Sequence, residues 1–376
     1  MVGNKNLTDL VKACACNLGF DIVRITSAEP FLRERAVAEK RIRQGFMDGL
    51  PWYTQDRVRR GTDPNLLLPE AKSIISVGIS YLSETFQHPK NGIKIARYAW
   101  GQDYHKVIKN KLKRLVRDVE EKLDRTVNAR WYVDDGPMLD RAVAQRSGIG
   151  WFGKNTNILT SSHGSWVFLG QLITDLDLDI DPPLRKDCGT CTLCIEACPT
   201  GAIVAPYVLD NQRCISHLTI ENRVSIPESM RPLIGEWAFG CDICQEVCPV
   251  NLKAMTTNDE NFQVSVLDDF DLGTLLDIDE NEFRTLFAGS SVRRAKLTGL
   301  KRNLCVVLGN LGDVKSVPVL NRALTDDEAI VRSHAAWALG RIGGSIAWQA
   351  LEIAVGIEED QNAKNEILAA LAMDTI

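Results

Sequence analysis

The sequence predicts a multidomain protein of mixed α and β structure, with an α/β domain, a cysteine-rich insert and an all-helical end. Three observations predict it. Strand-like apolar runs alternate with amphipathic helical segments up to about residue 180. Eight of the eleven cysteines fall between positions 188 and 248. A segment that begins near residue 303 recurs about 31 residues later. The length of 376 residues is sufficient for two or three packed domains.

Residues 1–180 contain the elements of the α/β domain. In chain order, we predict helix 6–19, strand 22–25, helix 29–44, strand 73–80, helix 103–123, and strands 131–134 and 165–173. The run Ser73–Ser80 is apolar and β-branched, which predicts a strand buried on both faces. Asp103 is predicted to cap the start of its helix.

The strongest motif is a run of four cysteines followed by proline. Cys188, Cys191, Cys194 and Cys198, with Pro199, have the spacing C-x2-C-x2-C-x3-C-P. In bacterial ferredoxins, three thiolates of this run bind one [4Fe-4S] cluster and the fourth binds a second cluster. A zinc site would need only four ligands in C-x2-C pairs, so the full run with its proline favours iron and sulfur.

A second run has the same pattern with its first member missing. Cys241, Cys244 and Cys248 precede Pro249, and Ala238 stands where the first cysteine would be. The missing ligand is assigned to Cys214, because it is the only remaining cysteine between the two runs. The predicted ligands are Cys188, Cys191, Cys194 and Cys248 for the first cluster, and Cys198, Cys214, Cys241 and Cys244 for the second. Two neighbouring clusters would form a conduit between an external electron donor and a buried centre.

Three cysteines lie outside these runs. Cys14 and Cys16 fall in the first predicted helix, and Cys305 falls in an apolar helix. Because a free cysteine behaves as a small hydrophobic residue, we expect all three to pack in cores.

The bulk composition indicates a soluble cytoplasmic protein. The net charge of −5 gives no global sign of nucleic-acid binding. No apolar stretch approaches the roughly 18 to 20 residues that span a bilayer, and neither a secretory signal nor a twin-arginine pair is present. In a reducing compartment, clustered cysteines indicate metal or redox chemistry rather than disulfides.

The charge reverses near residue 283. The predicted boundaries are an α/β domain at 1–180, a two-cluster insert at 181–255, an acidic linker at 256–282 and a helical part at 283–376. Residues 283–302 contain six basic side chains and no acidic one: Arg284, Arg293, Arg294, Lys296, Lys301 and Arg302. This density favours contact with nucleic acid, with Gly289-Ser290-Ser291 opening a helix that receives a phosphate. The alternative is a solvated helix face.

An internal repeat ends the chain. The segment 303–313 matches the segment 333–343 with an offset near 31, which aligns Gly309 with Gly340 and Leu320 with Leu351. Paired short helices at this period resemble HEAT repeats, which stack into an α-solenoid. Because so short an array needs another domain to cover one end, we expect it to pack on the cysteine-rich insert.

Two polar segments are further candidates for a site. Asp134 and Asp135 follow a predicted strand and precede Gly136-Pro137, so an aspartate there could exchange a proton. An Asx-turn or a helix cap before Met138 explains them equally well. The loop 148–157 is glycine-rich and could hold a phosphate or a cofactor, or could be structural. It meets neither the Walker A pattern nor G-x-G-x-x-G.

Taken in order, these motifs resemble the epoxyqueuosine reductase family. The resemblance rests on the two cysteine runs, the segment 133–137, the loop 148–155, and 289–296 before a HEAT-like tail. It implies reduction of epoxyqueuosine to queuosine at the wobble position of tRNA. It also implies a cobalamin-binding N-terminal domain, a ferredoxin-like insert with two [4Fe-4S] clusters that pass electrons to cobalamin, and a low-potential electron donor acting on a monomer.

The resemblance also implies roles for individual residues. Asp134 matches the acid of the family and would donate a proton, whereas Asp135 is a variant neighbour. The cobalamin contacts would be Arg57, Asp134, Lys154, Asn157, Ile158 and Ser216. The contacts to the anticodon stem-loop would be Arg284, Arg293, Arg294 and Lys296.

Two other functions remain open from the sequence. A corrinoid enzyme resembling reductive dehalogenases would share the cofactors, but it would have no use for the cations at 284–302 or for the repeats. A non-catalytic iron–sulfur electron-transfer protein would leave the large α/β domain without a task.

Overall fold

The computed structural model describes residues 4–84, 92–262 and 272–373. Part of the predicted acidic linker, 263–271, lies outside the described residues. The chain forms two compact units that interleave along the sequence. The first unit is Met1–Phe86, Gly101–Gln212 and Ile243–Val264, and the second is Gln87–Trp100, Arg213–Asp242 and Ser265–Ile376. The four contiguous segments that the sequence analysis gave as domains and linker stay a prediction.

The strands and helices are numbered in chain order. The strands are β1 Ile22–Ser27, β2 Ser73–Ser80, β3 Lys94–Ile95, β4 Ala129–Tyr132, β5 Trp151–Phe152, β6 Ile158–Leu159, β7 Val167–Thr174, β8 Ile203–Ala205, β9 Val208–Leu209 and β10 Trp237–Phe239. The helices are α1 Asn4–Asn17, α2 Leu32–Arg43, α3 Gln55–Gly61, α4 Pro64–Leu67, α5 Tyr104–Leu123, α6 Asp140–Ser147, α7 Leu193–Glu196, α8 Ile215–Ile220, α9 Arg231–Ile234, α10 Ile243–Glu246, α11 Leu272–Asp277, α12 Glu280–Leu286, α13 Lys296–Leu311, α14 Val317–Ala323, α15 Ala329–Ile342, α16 Ser345–Ile357 and α17 Gln361–Ala372.

The first unit is built on a four-stranded antiparallel sheet with the order β1-β2-β7-β4. Strand β2 is buried along its whole length, as its apolar run predicts. Helix α5 covers one face at Gly170, where an added Cβ would lie 2.8 Å from Ile108 Cγ2. Helix α6 covers the other face, and its Val143 shares a core with Ile74 and Ile173. The sheet therefore lies between two helical layers.

Several element predictions are confirmed and others need correction. Strand β2 matches the predicted range, and the Asp103 side chain caps α5 by accepting a hydrogen bond from the His105 amide. The strand predicted over 131–134 instead runs from Ala129 to Tyr132, so it ends before the two aspartates. This earlier end places Asp134 on a loop.

The prediction that all three spare cysteines pack in cores is wrong for one of them. Cys14 and Cys305 are buried, whereas Cys16 is exposed. The reason is helical geometry: two positions along α1 turn a side chain by about 200°, so Cys14 and Cys16 lie on opposite faces.

The helical repeats of the second unit pack on the 213–242 part of the cysteine-rich segment, as predicted. Helix α13 contacts α8, α9 and β10. Its Asn303 amide donates hydrogen bonds to the carbonyls of Thr219 (2.7 Å) and Ala238 (2.9 Å). Because buried backbone carbonyls need donors, this asparagine joins the two parts specifically.

The repeat glycines mark close helix crossings. An added Cβ on Gly309 of α13 would lie 2.9 Å from Ala338 Cα of α15. An added Cβ on Gly340 of α15 would lie 2.9 Å from Ala370 Cβ of α17. The 31-residue period therefore repeats one contact, in which a glycine lets the next helix approach closely.

The segment after Gly289 does not open a long helix. Ser291–Ala295 forms one 3₁₀ turn, whose N-cap Ser290 accepts a hydrogen bond from the Val292 amide. The expected phosphate site at a helix start is therefore wrong in its geometry.

Within the described ranges, no helix is long and apolar enough to cross a bilayer.

Candidate active site and cluster-binding cysteines

Asp134 lies on the loop that follows β4, with its side chain exposed. The Tyr104 hydroxyl donates a hydrogen bond to Asp134 Oδ2 at 2.8 Å. Tyr104 is itself buried and stacks on Phe168, with ring centroids 4.3 Å apart and planes 4° apart. A rigid donor thus holds one carboxylate oxygen of a side chain that solvent and ligands can reach.

Asp135 has different partners from Asp134. It accepts a hydrogen bond from the Val133 amide at 3.1 Å and forms an ion pair with Lys109 of α5. The helix-cap alternative is wrong for both aspartates, because α6 starts after Leu139 and has no side-chain cap. Asp135 fastens the loop, and Asp134 presents a carboxylate.

Helix α3 contacts the backbone of the loop through Gly61 and Arg57. Gly61 lies so close that an added Cβ would be 1.7 Å from the Pro137 carbonyl oxygen. The Arg57 guanidinium donates a hydrogen bond to the carbonyl of Gly136. Asp134 itself has a positive φ of 54°, a conformation that non-glycine residues adopt rarely. Loop position and backbone conformation are therefore set by tertiary contacts.

Two arginines and a tyrosine lie near this loop. Arg57 stacks over the Trp52 ring at 4.6 Å, and Arg141 donates a hydrogen bond to the Thr156 carbonyl at 2.9 Å. Burial raises the pKa of Tyr53, while the neighbouring charges of Arg141 and Arg57 lower it in part. A cavity of about 340 Å³ includes Tyr53 in its lining. Sequence reasoning missed Tyr53, Tyr104 and Arg141, because none of them lies in a recognisable motif.

Asp140 is a second carboxyl that the sequence analysis missed. Its Oδ1 is buried and has no hydrogen-bond partner within the described part of the chain, which is also true of Gln171 Oε1 and Ser76 Oγ. Burial raises the pKa of Asp140 well above its usual value, and the charge of Asp134 raises it further. Burial therefore favours the uncharged, protonated form of the Asp140 carboxyl over its carboxylate. An aspartate at a helix start gives no sequence signal for this state.

The glycine-rich loop clamps the cysteine runs. The buried Lys154 ammonium donates hydrogen bonds to the carbonyls of Gly189 (2.7 Å) and Cys191 (2.9 Å). Asn155 donates one to the Cys244 carbonyl at 3.2 Å. This arrangement favours the structural interpretation of the loop over a phosphate cradle.

The other predicted cobalamin contacts have mixed environments. The Asn157 amide donates a hydrogen bond to Asn155 Oδ1 at 3.2 Å. Ile158 is buried in a small core with Ala144 and Ile149, and Ser216 is half-buried in α8 of the second unit. These assignments stay predictions.

The four cysteines predicted for the first cluster influence one another electrostatically. Burial raises the pKa of the Cys194 thiol, and the neighbouring Cys188, Cys248 and Cys191 raise it further. Cys248 of the second run is thus near enough to influence the Cys194 thiol, and the assignment of these four thiols to one cluster stays a prediction. These half-buried, unbonded thiols fit a [4Fe-4S] cluster, whose four ligands bind separate irons.

The second predicted set is divided between the units. Cys198 and Cys244 belong to the first unit, and Cys214 and Cys241 to the second. All four are half-buried, and none forms a disulfide. In the described residues, no three His, Cys, Asp or Glu side chains converge on a point suited to a single metal ion. The assignment of these four thiols to one cluster stays a prediction.

The basic segment presents fewer free charges than its sequence indicates. Arg284 pairs with Glu280 (2.9 Å), Arg294 with Glu221 (2.6 Å) and Lys301 with Asp326 (2.9 Å). Arg302 is buried and donates hydrogen bonds to the carbonyls of Leu218, Asn222 and Val224. Four of the six cations of this segment are therefore engaged by partners within the protein. Arg293 and Lys296 are the exposed cations that no described acid pairs.

Three family models match successive segments of the chain. Epoxyqueuosine reductase QueG, DUF1730 matches residues 61–135, a 4Fe-4S double cluster binding domain matches 187–251, and HEAT repeats match 293–372. An epoxyqueuosine reductase of Cellulophaga algicola is 42% identical over 79% of this chain and 96% of its own length. The Escherichia coli epoxyqueuosine reductase is 37% identical over 89% of each chain.

Solved structures with the same fold are similar over almost the whole chain. One is an epoxyqueuosine reductase with an epoxyqueuosine-modified stem loop of tyrosine tRNA, at 33% identity and a TM-score of 0.91 over 98% of this chain and 99% of that one. Another is the Bacillus subtilis epoxyqueuosine reductase, with an aspartate-bearing catalytic loop swung out of the active site. It has 32% identity and a TM-score of 0.90 over 98% of both chains.

Proposed function

The chain belongs to the epoxyqueuosine reductase family, and from this premise we propose that it reduces epoxyqueuosine to queuosine in tRNA. The observation that carries this function is the match over 98% of the chain to an epoxyqueuosine reductase solved with its modified tRNA stem loop. Curated relatives that match over up to 97% of their own length support the same proposal.

The reaction removes the epoxide oxygen as water and leaves a cyclopentene, which requires two electrons and two protons. The cofactors are those of the family, two [4Fe-4S] clusters and cobalamin. When bound, these cofactors supply the electrons. The protein's own side chains must position the epoxide, provide protons and keep the cofactors in place.

Asp134 is the proposed proton donor. An alkoxide is a poor leaving group, so a proton given to the departing oxygen lowers the barrier. The exposed carboxyl on its loop can reach a base that is splayed out of the RNA. Tyr104 positions the carboxyl group by its hydrogen bond of 2.8 Å to Asp134 Oδ2.

The proposed cluster ligands are the two sets of four thiolates given by the sequence. Among the proposed cobalamin contacts, Arg57 lies beside the Asp134 loop through its bond to Gly136. Lys154 is committed to two carbonyls of the first cysteine run, so we expect it to act by holding that run. Asn157, Ile158 and Ser216 complete the proposed cobalamin contacts.

The proposed contacts to the anticodon stem-loop are Arg284, Arg293, Arg294 and Lys296. Because Arg284 and Arg294 already pair with glutamates, we expect Arg293 and Lys296 to contribute most of the affinity. A low-potential electron donor, a monomeric state and a cytoplasmic location complete the proposal.

One experiment tests this function. Anaerobically reconstituted protein with cobalamin and a chemical reductant is incubated with epoxyqueuosine-containing tRNA, and the nucleosides are analysed by mass spectrometry. We expect queuosine to replace epoxyqueuosine. If the fully loaded enzyme leaves epoxyqueuosine unchanged but removes halide from a halogenated phenol, the dehalogenase alternative is correct.

A further inference from the structure

Helix α5 has an unusual concentration of positive charge. Six cations and no acid occur between Tyr104 and Arg117: Lys106, Lys109, Lys111, Lys113, Arg114 and Arg117. The protein as a whole has a net charge of −5, so this excess is local. Clusters of like charge at i,i+4 spacing destabilise an isolated helix, and a bound anion would relieve that repulsion.

Three of these cations have partners in the first unit. Lys109 pairs with Asp135, Lys111 with Asp259 at 2.8 Å, and Arg114 with Asp118 at 2.6 Å. The other three, Lys106, Lys113 and Arg117, are exposed and form no ion pair with any side chain that the structure describes. We call these three residues the α5 row.

The α5 row lies on one face of the helix. At about 100° per residue, a step of seven residues returns a side chain to within about 20° of the same direction, and a step of four to within about 40°. Ile108, Leu112 and Leu115 are buried on the opposite face against the sheet. At about 1.5 Å per residue, the row extends roughly 16 Å along the helix.

The row begins beside the catalytic loop. Tyr104, at the start of α5, holds Asp134, and Lys109 in the next turn pairs with Asp135. Lys106 lies between these two anchors in sequence. An RNA strand that presents its wobble base to Asp134 must therefore lead its flanking backbone past this end of the helix.

We propose that the α5 row binds the phosphate backbone of the tRNA substrate next to the modified nucleotide. The proposal rests on the proposed function. Exposed lysine and arginine side chains spaced along a helix can bind successive phosphates of an RNA strand. Such contacts do not depend on the identity of the bases. An acidic electron-donor protein would suit the charge as well, but it must approach the clusters rather than the proton donor.

The test compares two triple variants of the holoenzyme. Lys106→Gln, Lys113→Gln and Arg117→Gln together remove the row without losing helix-forming side chains. The control changes Lys5, Lys122 and Arg125 to Gln, three exposed cations in the same unit that lie outside the row. Both variants change the net charge by the same amount.

We expect the row variant to bind epoxyqueuosine-containing tRNA at least about tenfold more weakly, and the control to bind like the wild type. The slope of log K, the association constant, against the logarithm of the salt concentration is negative. Its magnitude should decrease by roughly 0.7 for each lost contact with single-stranded RNA. Binding is measured without reductant, so turnover does not enter. The row variant should retain its iron and its circular dichroism spectrum.

Equal tRNA binding by the two variants would overturn the proposal. So would a row variant that binds tRNA normally but is reduced more slowly by an acidic flavodoxin, which would assign the row to a protein donor. If the wild type binds tRNA through the row but converts no epoxyqueuosine, the proposed function fails and the row assignment stands.

Discussion

At the scale of single residues, the neighbours of a side chain decide what it does. Asp134 and Asp135 are adjacent and chemically identical, yet one accepts a hydrogen bond from a buried tyrosine and the other pairs with a lysine. The ion pair of Asp135 with Lys109 gives Asp135 a role in fastening the loop. Asp134 has an exposed carboxyl that a substrate can approach.

Replacing Asp134 by Asn should reduce turnover by about 100-fold or more, since general-acid catalysis typically contributes that much. The amide keeps the acceptor for Tyr104 and the shape of the side chain. The rate of queuosine formation at saturating tRNA is the measurement. Asp135→Asn is the matched control and should stay within about threefold of the wild type, because it loses one partly exposed ion pair. Comparable losses in both variants would refute the separate roles.

Asp140 leads to a prediction about stability and pH. Its pKa is raised in the folded protein by burial, so its contribution to stability is full below the unfolded value of about 3.9 and is lost as pH rises through the folded value. Asp140→Asn is uncharged at every pH. The variant should therefore gain stability relative to the wild type as pH rises from 5 toward 8.

Urea unfolding of both proteins at several pH values measures this difference. A constant gap between the two urea midpoints over that range would show that Asp140 does not take up a proton on folding.

At the scale of elements, the helical repeats show how one missing side chain sets a helix crossing. Gly340 lies two residues before the end of α15, where an added Cβ would be 2.9 to 3.1 Å from three atoms of Ala370. Gly356 lies in α16, and an added Cβ there would meet nothing within 4 Å. Both glycines disfavour the helical conformation relative to alanine. Only Gly340 is required by a close contact with another helix.

Substituting alanine at each glycine should shift stability in opposite directions. The added methyl group of Gly340→Ala pushes α15 away from α17. The substitution should destabilise the protein by about 1–3 kcal/mol, as overpacking does. Gly356→Ala should stabilise it by up to about 1 kcal/mol, because alanine favours a helix more than glycine. Thermal unfolding followed by circular dichroism tests both. Shifts of the same sign would contradict the close crossing.

At the scale of the whole molecule, the cysteines join distant parts of the chain. Cys248 lies beside the thiols of the first run although 54 residues separate it from Cys194. Lys154 and Asn155 bind the backbone of both runs from a third segment. The fold of the first unit therefore brings Cys248 near the 188–194 run, which supports the predicted ligand set of the first cluster.

Replacing Cys248 by Ala should remove the first cluster and leave the second. Anaerobically prepared protein should then fall from about eight irons to about four, since each cluster contains four. Cys16→Ala is the control, because Cys16 is exposed and lies outside both runs, and it should keep about eight irons. Iron and sulfide analysis measures the outcome. Eight irons retained in Cys248→Ala would show that another ligand completes the cluster.

The sequence by itself determined the two [4Fe-4S] clusters, the buried strand Ser73–Ser80 and the helical repeats. Each of these depends on local spacing: ligand intervals of two or three residues, a continuous apolar run, and a fixed period. These patterns are visible without knowing which distant segments meet.

Only the tertiary structure decided which charges stay free and which carboxyls face a partner. It paired Arg294 with Glu221, buried Arg302, turned Lys154 toward the cysteine runs, exposed Cys16 and raised the pKa of Asp140 by burial. The physical reason is that burial and electrostatic pairing depend on residues far apart in the chain. A charge pattern read along the sequence contains no information about those neighbours.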